Sequence, residues 1–125
     1  MAIFYRLVKD GRKDSPYKGD YFARAVNLGT IETDELASII ERNCSMKRSD
    51  VLAVLAELSD TIRRLLVDSH RVRLAGIGSL MVGLNGRPCS DPTQYDNTYV
   101  TGLHLCFKPE KELRLDDADI APLPP

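Results

Sequence analysis

A length of 125 residues bounds the chain to one domain carrying at most a small added hairpin or tail. With 17 basic and 18 acidic residues the formal net charge is −1, which excludes a uniformly cationic surface that would hold nucleic acid by charge alone. Three cysteines without a Cys-x-x-Cys pair argue against zinc and fit free thiols in a reducing cytoplasm, and no secretory signal or apolar run near the roughly 20 residues of a spanning helix is evident.

The elements follow in chain order. Ile3–Val8 is β-branched and aromatic and predicts a strand. Lys9–Gly19 carries Gly11, Pro16 and Gly19 and reads as a loop, after which Tyr21–Val26 predicts a second strand. The two strands form a hairpin, so residues 1–30 read as an N-terminal extension. Thr33 is placed as an N-cap, with Asp34 and Glu35 at the positive end of a helix. Leu36, Ile39 and Ile40 mark its apolar side, and it stops near Asn43. A second helix starts between Ser45 and Ser49. Its stripe is Val51, Leu55, Leu58, Ile62 and Leu65, widened by Val54 and Leu66, and it ends near Asp68–Ser69. Two antiparallel helices result, and the stripe is a core or a dimer seam.

Val72 and Leu74 alternate with Arg71 and Arg73, predicting a half-buried strand. Gly76 and Gly78 permit a tight reversal, and Leu80, Val82 and Leu84 continue the alternation beyond it. Asn85–Gln94 is turn-forming throughout, and the polar segment to Thr98 is long enough to leave the body as an arm. Leu103, Leu105 and Phe107 form the returning strand. Pro109 breaks it and opens a short helix over Glu110–Leu115. Residues 116–125 are acidic and then proline-rich, and read as a disordered tail. A strand pair extended as an arm beside a helical body suits insertion into a nucleic-acid groove.

Charge is unevenly spread. Residues 1–30 hold six basic and three acidic residues, 31–70 hold five and eight, and 71–125 hold six and seven. A basic surface must therefore be assembled by folding.

Nothing points to an enzyme. His70 and His104 lie far apart in sequence, without a Cys or carboxylate at a catalytic spacing. Gly76-Ile77-Gly78 lacks the third glycine and the Lys-Ser/Thr of a phosphate loop. No cofactor, metal or small-molecule substrate is expected.

The order helix, helix, strand, double-glycine turn, strand, arm, strand, Phe-Lys-Pro resembles the HU and integration-host-factor family of bacterial histone-like proteins. Asp34-Glu35-Leu36 opens the first helix as Thr/Lys-x-Glu-Leu does there. Met46-Lys47-Arg48-Ser49-Asp50 is similar to Leu-Thr-Lys-Lys-Asp before the second helix. Arg71–Leu80 matches Lys-Val-x-Leu-x-Gly-Phe-Gly-x-Phe, with Ile77 and Leu80 in place of aromatics. Phe107–Arg114 matches Phe-Lys-Pro-Gly-Lys-x-Leu-Lys. The resemblance covers residues 33–115, and the extension ahead of it resembles HU-related variants of the Bacteroidetes.

The resemblance implies an α+β, HU-like fold: a helical-hairpin base, an antiparallel sheet with an extended β-arm, and an intertwined homodimer over residues 31–115. It implies a cytoplasmic, nucleoid-associated protein that binds double-stranded DNA largely without sequence specificity and bends it, with no membrane partner. Pro92 matches the proline that wedges between base pairs, which costs a few kcal/mol of unstacking. Pro88 is a second candidate for that wedge. Gln94 and Arg87 accompany Pro92 in the arm. Arg71, Arg73, Lys108, Lys111 and Arg114 stand at body positions of the family, and Lys47 and Arg48 stand at the second helix. One departure is marked: between Met81 and Cys106 the arm holds Arg87 against Asp91 and Asp96. A dimeric interaction protein of the same fold that has lost strong DNA binding is the alternative reading.

Overall fold

The computed structural model describes residues 2–125; Met1, the first residue of the expected extension, lies outside them. The chain divides into two units, one built from the described residues up to Glu32 together with Leu115–Pro125, the other from Thr33–Arg114. No helix among the described residues is long and apolar enough to cross a membrane.

In the first unit, strands β1 (Ile3–Lys9) and β2 (Tyr21–Ala25) pair antiparallel, with Tyr5 opposite Ala25 and Lys9 opposite Tyr21. The long connection is closed on itself. Asp10 accepts hydrogen bonds from the backbone N of Arg12 (3.0 Å), from its Nε (3.1 Å) and from the Ser15 hydroxyl (2.6 Å). These donors, the Arg12 side chain first, hold the Asp10 carboxyl well below the usual carboxylate range.

The expected disordered tail is corrected here. Ile120–Pro122 forms a third strand, β6, parallel to β1, with Ile3 opposite Ile120 and Tyr5 opposite Pro122. Ile3 N donates to Asp119 O (2.8 Å) and Leu123 N to Tyr5 O (2.9 Å). Acid and proline content made the segment look unable to fold. Its partner strand lies at the other end of the sequence, where no local pattern reveals it. Proline is tolerated because β6 is an edge strand.

The second unit begins with helices α1 (Thr33–Asn43) and α2 (Arg48–Val67). Lys47, at the α2 N-cap, provides no side-chain cap. Glu41 of α1 supplies it instead, its Oε2 accepting from Arg48 N at 2.7 Å, so the cap also ties the two helices together. Val51 is buried and Leu55, Leu58, Ile62 and Leu66 are half-buried, forming the inward stripe, whereas Val54 and Leu65 are exposed on its flanks. The C-terminus of α2 is a Schellman motif: His70 N donates to Leu65 O and Ser69 N to Leu66 O, with Ser69 at φ 67 in the left-handed region.

Strands β3 (Val72–Leu74), β4 (Gly78–Gly86) and β5 (Val100–Pro109) form an antiparallel sheet in that order. The turn Leu74–Ile77 closes through Ile77 N to Leu74 O (3.0 Å) with Gly76 at φ 81, as a type II turn requires at that position. Gly78 has a different duty: a Cβ there would strike the Lys108 carbonyl oxygen and sit 2.7 Å from the Phe107 ring. The helix expected over Glu110–Leu115 shortens to one 3-10 turn, Lys111–Leu113, because β5 runs on through Pro109.

Ala37 and Val51 are the buried apolar residues among those described. The ribbon β4–β5 has two unlike faces. One carries the cross-strand pairs Leu80–Phe107, Val82–Leu105 and Leu84–Leu103, of which Leu84, Leu103 and Leu105 are 64%, 70% and 61% exposed. A hollow of about 800 Å³ opens between this face and α2, bounded by Ile62, Leu66, Val82, Leu84, Leu103 and Leu105. The other face carries the pairs Ser79–Lys108, Met81–Cys106, Gly83–His104 and Asn85–Gly102.

Candidate nucleic-acid interface

The register of β3, β4 and β5 sets Arg73 opposite Ser79 and Ser79 opposite Lys108, making one polar row across three strands. His104, opposite Gly83, lies further along this face; Arg71, just ahead of β3, borders the hollow beside α2. The His104 ring lies directly over Gly83, where a Cβ would displace it. Arg71, His104 and Lys108 are exposed and Ser79 is buried. Lys111 and Arg114 follow in the exposed 3-10 turn and just after it.

Arg73 is already engaged. Its Nη2 and Nε donate to Glu110 Oε1 (2.6 Å) and Oε2 (3.2 Å), and Gly76 N donates to the same Oε1 (3.3 Å). The Arg73 hydrogen bond is the main cause of a lowered Glu110 pKa, and Glu110 raises that of Arg73. Glu110 was not among the residues singled out from sequence. The signal for it was available, because it stands where the matched motif has glycine. Arg48 is engaged as well, through Nη2 to Asp34 Oδ1 at 3.1 Å. Among the described residues Arg71, Lys108, Lys111, Arg114 and Lys47 have no ion-pair partner.

At the ribbon tip, residues 87–99, Arg87 Nη2 donates to Thr98 O (3.0 Å) and its guanidinium lies over the Tyr99 ring at 5.0 Å. Tyr99 stacks on Tyr95, centroids 4.9 Å apart, an ordering contact that sequence reasoning missed although the two stand four residues apart. Pro92 opens a 3-10 turn, Pro92–Gln94, capped by Asp91, which accepts from Thr93 N (3.0 Å) and Oγ1 (2.8 Å). Asp96 accepts from Thr98 N (2.9 Å) and from its hydroxyl. Both carboxyls are held below their ordinary pKa by these threonine side chains first and their backbone amides second, so both remain ionised. Gln94 is exposed, its backbone N donating to Asp91 O. Cys44, Cys89 and Cys106 are all free thiols.

The structure thus brings Arg73 and Lys108 to one face, sets Arg71 beside the hollow, engages Arg73 and Arg48 internally, and places Arg87, Pro92 and Gln94 at the tip. Residues 1–119 match the model of the family described as an HU domain fused to a winged helix-turn-helix, Ig or glycine-rich motif. The chain belongs to this HU-domain family. No curated protein matches. Among solved structures, a candidate bacterial DNA binding protein from Bacteroides vulgatus is similar at TM-score 0.68 and 14% identity, over 97% of this chain and 47% of that one. The present chain therefore spans about half the length of that relative. An Anabaena HU–DNA cocrystal structure is similar at TM-score 0.53 and 22% identity, over 68% of this chain and 95% of that one. At these identities the likenesses are of fold. The HU-domain fold accounts for the helical hairpin followed by the β3–β4–β5 sheet, and the family's description accounts for a chain in which an HU domain is joined to other elements.

Proposed function

We propose that this HU-domain chain is a bacterial, nucleoid-associated architectural protein that binds duplex DNA largely without sequence specificity and bends it. The observation that carries the reading is the two-sided ribbon, apolar on one face and crossed on the other by the row Arg73, Ser79 and Lys108. The apolar face and the hollow beside α2 are the seam of an intertwined homodimer. A protomer with so little buried side-chain area is too poor in core to stand alone, and exposed apolar surface of this extent marks an association site. The ribbon beyond the seam is the extended arm. Arg71, Lys108, Lys111 and Arg114 contact phosphates, with Lys47 at the helical base; such contacts position a protein without reading bases. Pro92 at the arm tip is the wedge, followed by Gln94. Likeness of fold to an HU–DNA cocrystal structure supports this reading. The mode of action is binding and deformation, with no catalytic step.

A second reading has its own support. Arg73 is neutralised by Glu110, Arg87 is held by Tyr99 and Thr98, and Asp91 and Asp96 stay charged at the tip. A dimer that has kept the fold and lost strong DNA binding would look the same there. One experiment separates the two: duplex affinity across a salt series, with energy transfer between duplex ends. The DNA reading expects log affinity to fall with log salt at a slope of about −0.9 per phosphate contacted. It also expects Pro92→Ala to reduce bending more than affinity. A duplex that stays unbent and unbound at low salt gives precedence to the interaction protein.

A further inference from the structure

Resting on the DNA reading above, we propose that Arg6 and Arg24 form a second phosphate-binding site, on the N-terminal sheet, that takes the backbone of duplex DNA. The β1–β2 register sets these two arginines directly opposite each other, so their side chains leave the same face. Val26 N donates to Phe4 O and Asp10 N to Asp20 O, each at 2.8 Å. Counting along the ladder, Arg6 and Arg24 fall on a hydrogen-bonded pair, with Cα atoms roughly 5.5 Å apart. Both residues are exposed.

Like charges directly opposite on a strand pair destabilise it. Here nothing in the protein relieves them: among the described residues, neither guanidinium has an ion-pair partner. The same face of the two strands carries Phe4, Val8 and Phe22, with no carboxylate among them. Asp10, the acid at the end of β1, is closed off by Arg12 and Ser15, its side chain 2% exposed. Asp116, Asp117 and Asp119 precede β6 and meet the sheet at the Ile3 end of β1. Asp119 is thus about four residues from Arg6 along the strand direction, ~13 Å, beyond a physiological screening length of ~8 Å. Towards the loop Lys9, Arg12, Lys13 and Lys18 alternate with Asp10, Asp14 and Asp20; Asp20, opposite Asp10, stands four residues from Arg24, ~13 Å along the strand and again beyond the screening length.

A local rule broken without an internal offset points to a ligand that supplies one. A phosphate between two guanidiniums turns their repulsion into a charge-assisted clamp. The occupant is a phosphate of the duplex backbone, the polyanion of the reading on which this site rests.

The test uses the full chain with Arg6→Gln and Arg24→Gln together. Duplex affinity at about 0.15 M salt should fall roughly tenfold on every sequence, and the salt slope should become shallower by about 1.8. The melting temperature should rise by roughly 1–4 °C as the repulsion is removed. The doubly lysine-substituted chain, which keeps both charges, should retain most of the slope. Unchanged affinity and slope, in a background where the unmodified protein binds duplex, overturn this site and leave the DNA reading standing. An unmodified protein that binds no duplex at low salt overturns both. A glutamine variant that melts lower, or polyglutamate bound more tightly than duplex through the same two arginines, also overturns the assignment.

Discussion

The base of the β4–β5 ribbon and its tip are ordered by different means. At the base, Leu80–Phe107 and Val82–Leu105 pair across the strands, Gly78 lets two backbones meet closely, and Glu110 ties Arg73 to the Gly76 amide. Much of that apolar surface is open. At the tip, none of residues 87–99 is buried. Order there comes from Asp91 and Asp96 capping their own turns and from the Arg87–Tyr99–Tyr95 stack. The base depends on apolar pairing that leaves much of its surface open, whereas the tip is held by contacts among its own residues 87–99. Damage at the base should spread through the molecule, and damage at the tip should stay where it is made.

The largest effect should come from charging the base. Leu105→Glu places a carboxylate in the middle of the apolar face and should cost about 3 kcal/mol or more of assembly. Sedimentation should then show monomer, and circular dichroism should show lost helix at micromolar concentration. A stable dimer with that substitution would locate the seam elsewhere.

Glu110→Gln is intermediate. It removes the charge that neutralises Arg73 but keeps the side chain's size. Duplex affinity should rise about three- to tenfold, and the salt slope should steepen by ~0.9 for each phosphate newly contacted. The same variant has a pH signature. A carboxyl whose folded pKa is depressed stabilises the fold above its unfolded pKa of about 4.3, and that contribution is lost as pH falls through the folded value. Thermal melts of the two proteins should therefore differ at neutral pH and converge in acid. A difference that persists at the acid end would mean the clasp acts through shape.

The smallest effect belongs to the tip. Tyr99→Leu removes both the stack and the seat of Arg87, yet should change global stability by no more than about 0.5 kcal/mol. Amide exchange should quicken within residues 87–99 and stay unchanged in the helices. Faster exchange in α2 would erase the distinction between tip and base.

What could be read in advance divides along similar physical lines. The α2 stripe, the double-glycine turn and the alternating strands were legible because each is a local periodicity tied to one face. The cationic candidates were legible as residues but not as free groups. Whether Arg73 or Arg48 is available depends on Glu110 and Asp34, which are brought near only by the fold. The same holds for Glu41, which caps a helix other than its own. β6 was missed because a three-residue edge strand carries almost no pattern and its pairing partner lies at the opposite end of the chain.

That pairing has a bearing on how the protein is made. On the ribosome, β1 emerges before β6, with the whole second unit between them. Until Ile120 appears, the β1 edge that will receive it presents unpaired backbone to every other nascent chain nearby, the condition under which strands join the wrong partner. Once docked, β6 ends this exposure with an edge that presents Pro122, followed by Pro124 and Pro125, which have no amide hydrogen to offer a further strand. These prolines thus act as a stopper on the β6 side of the sheet.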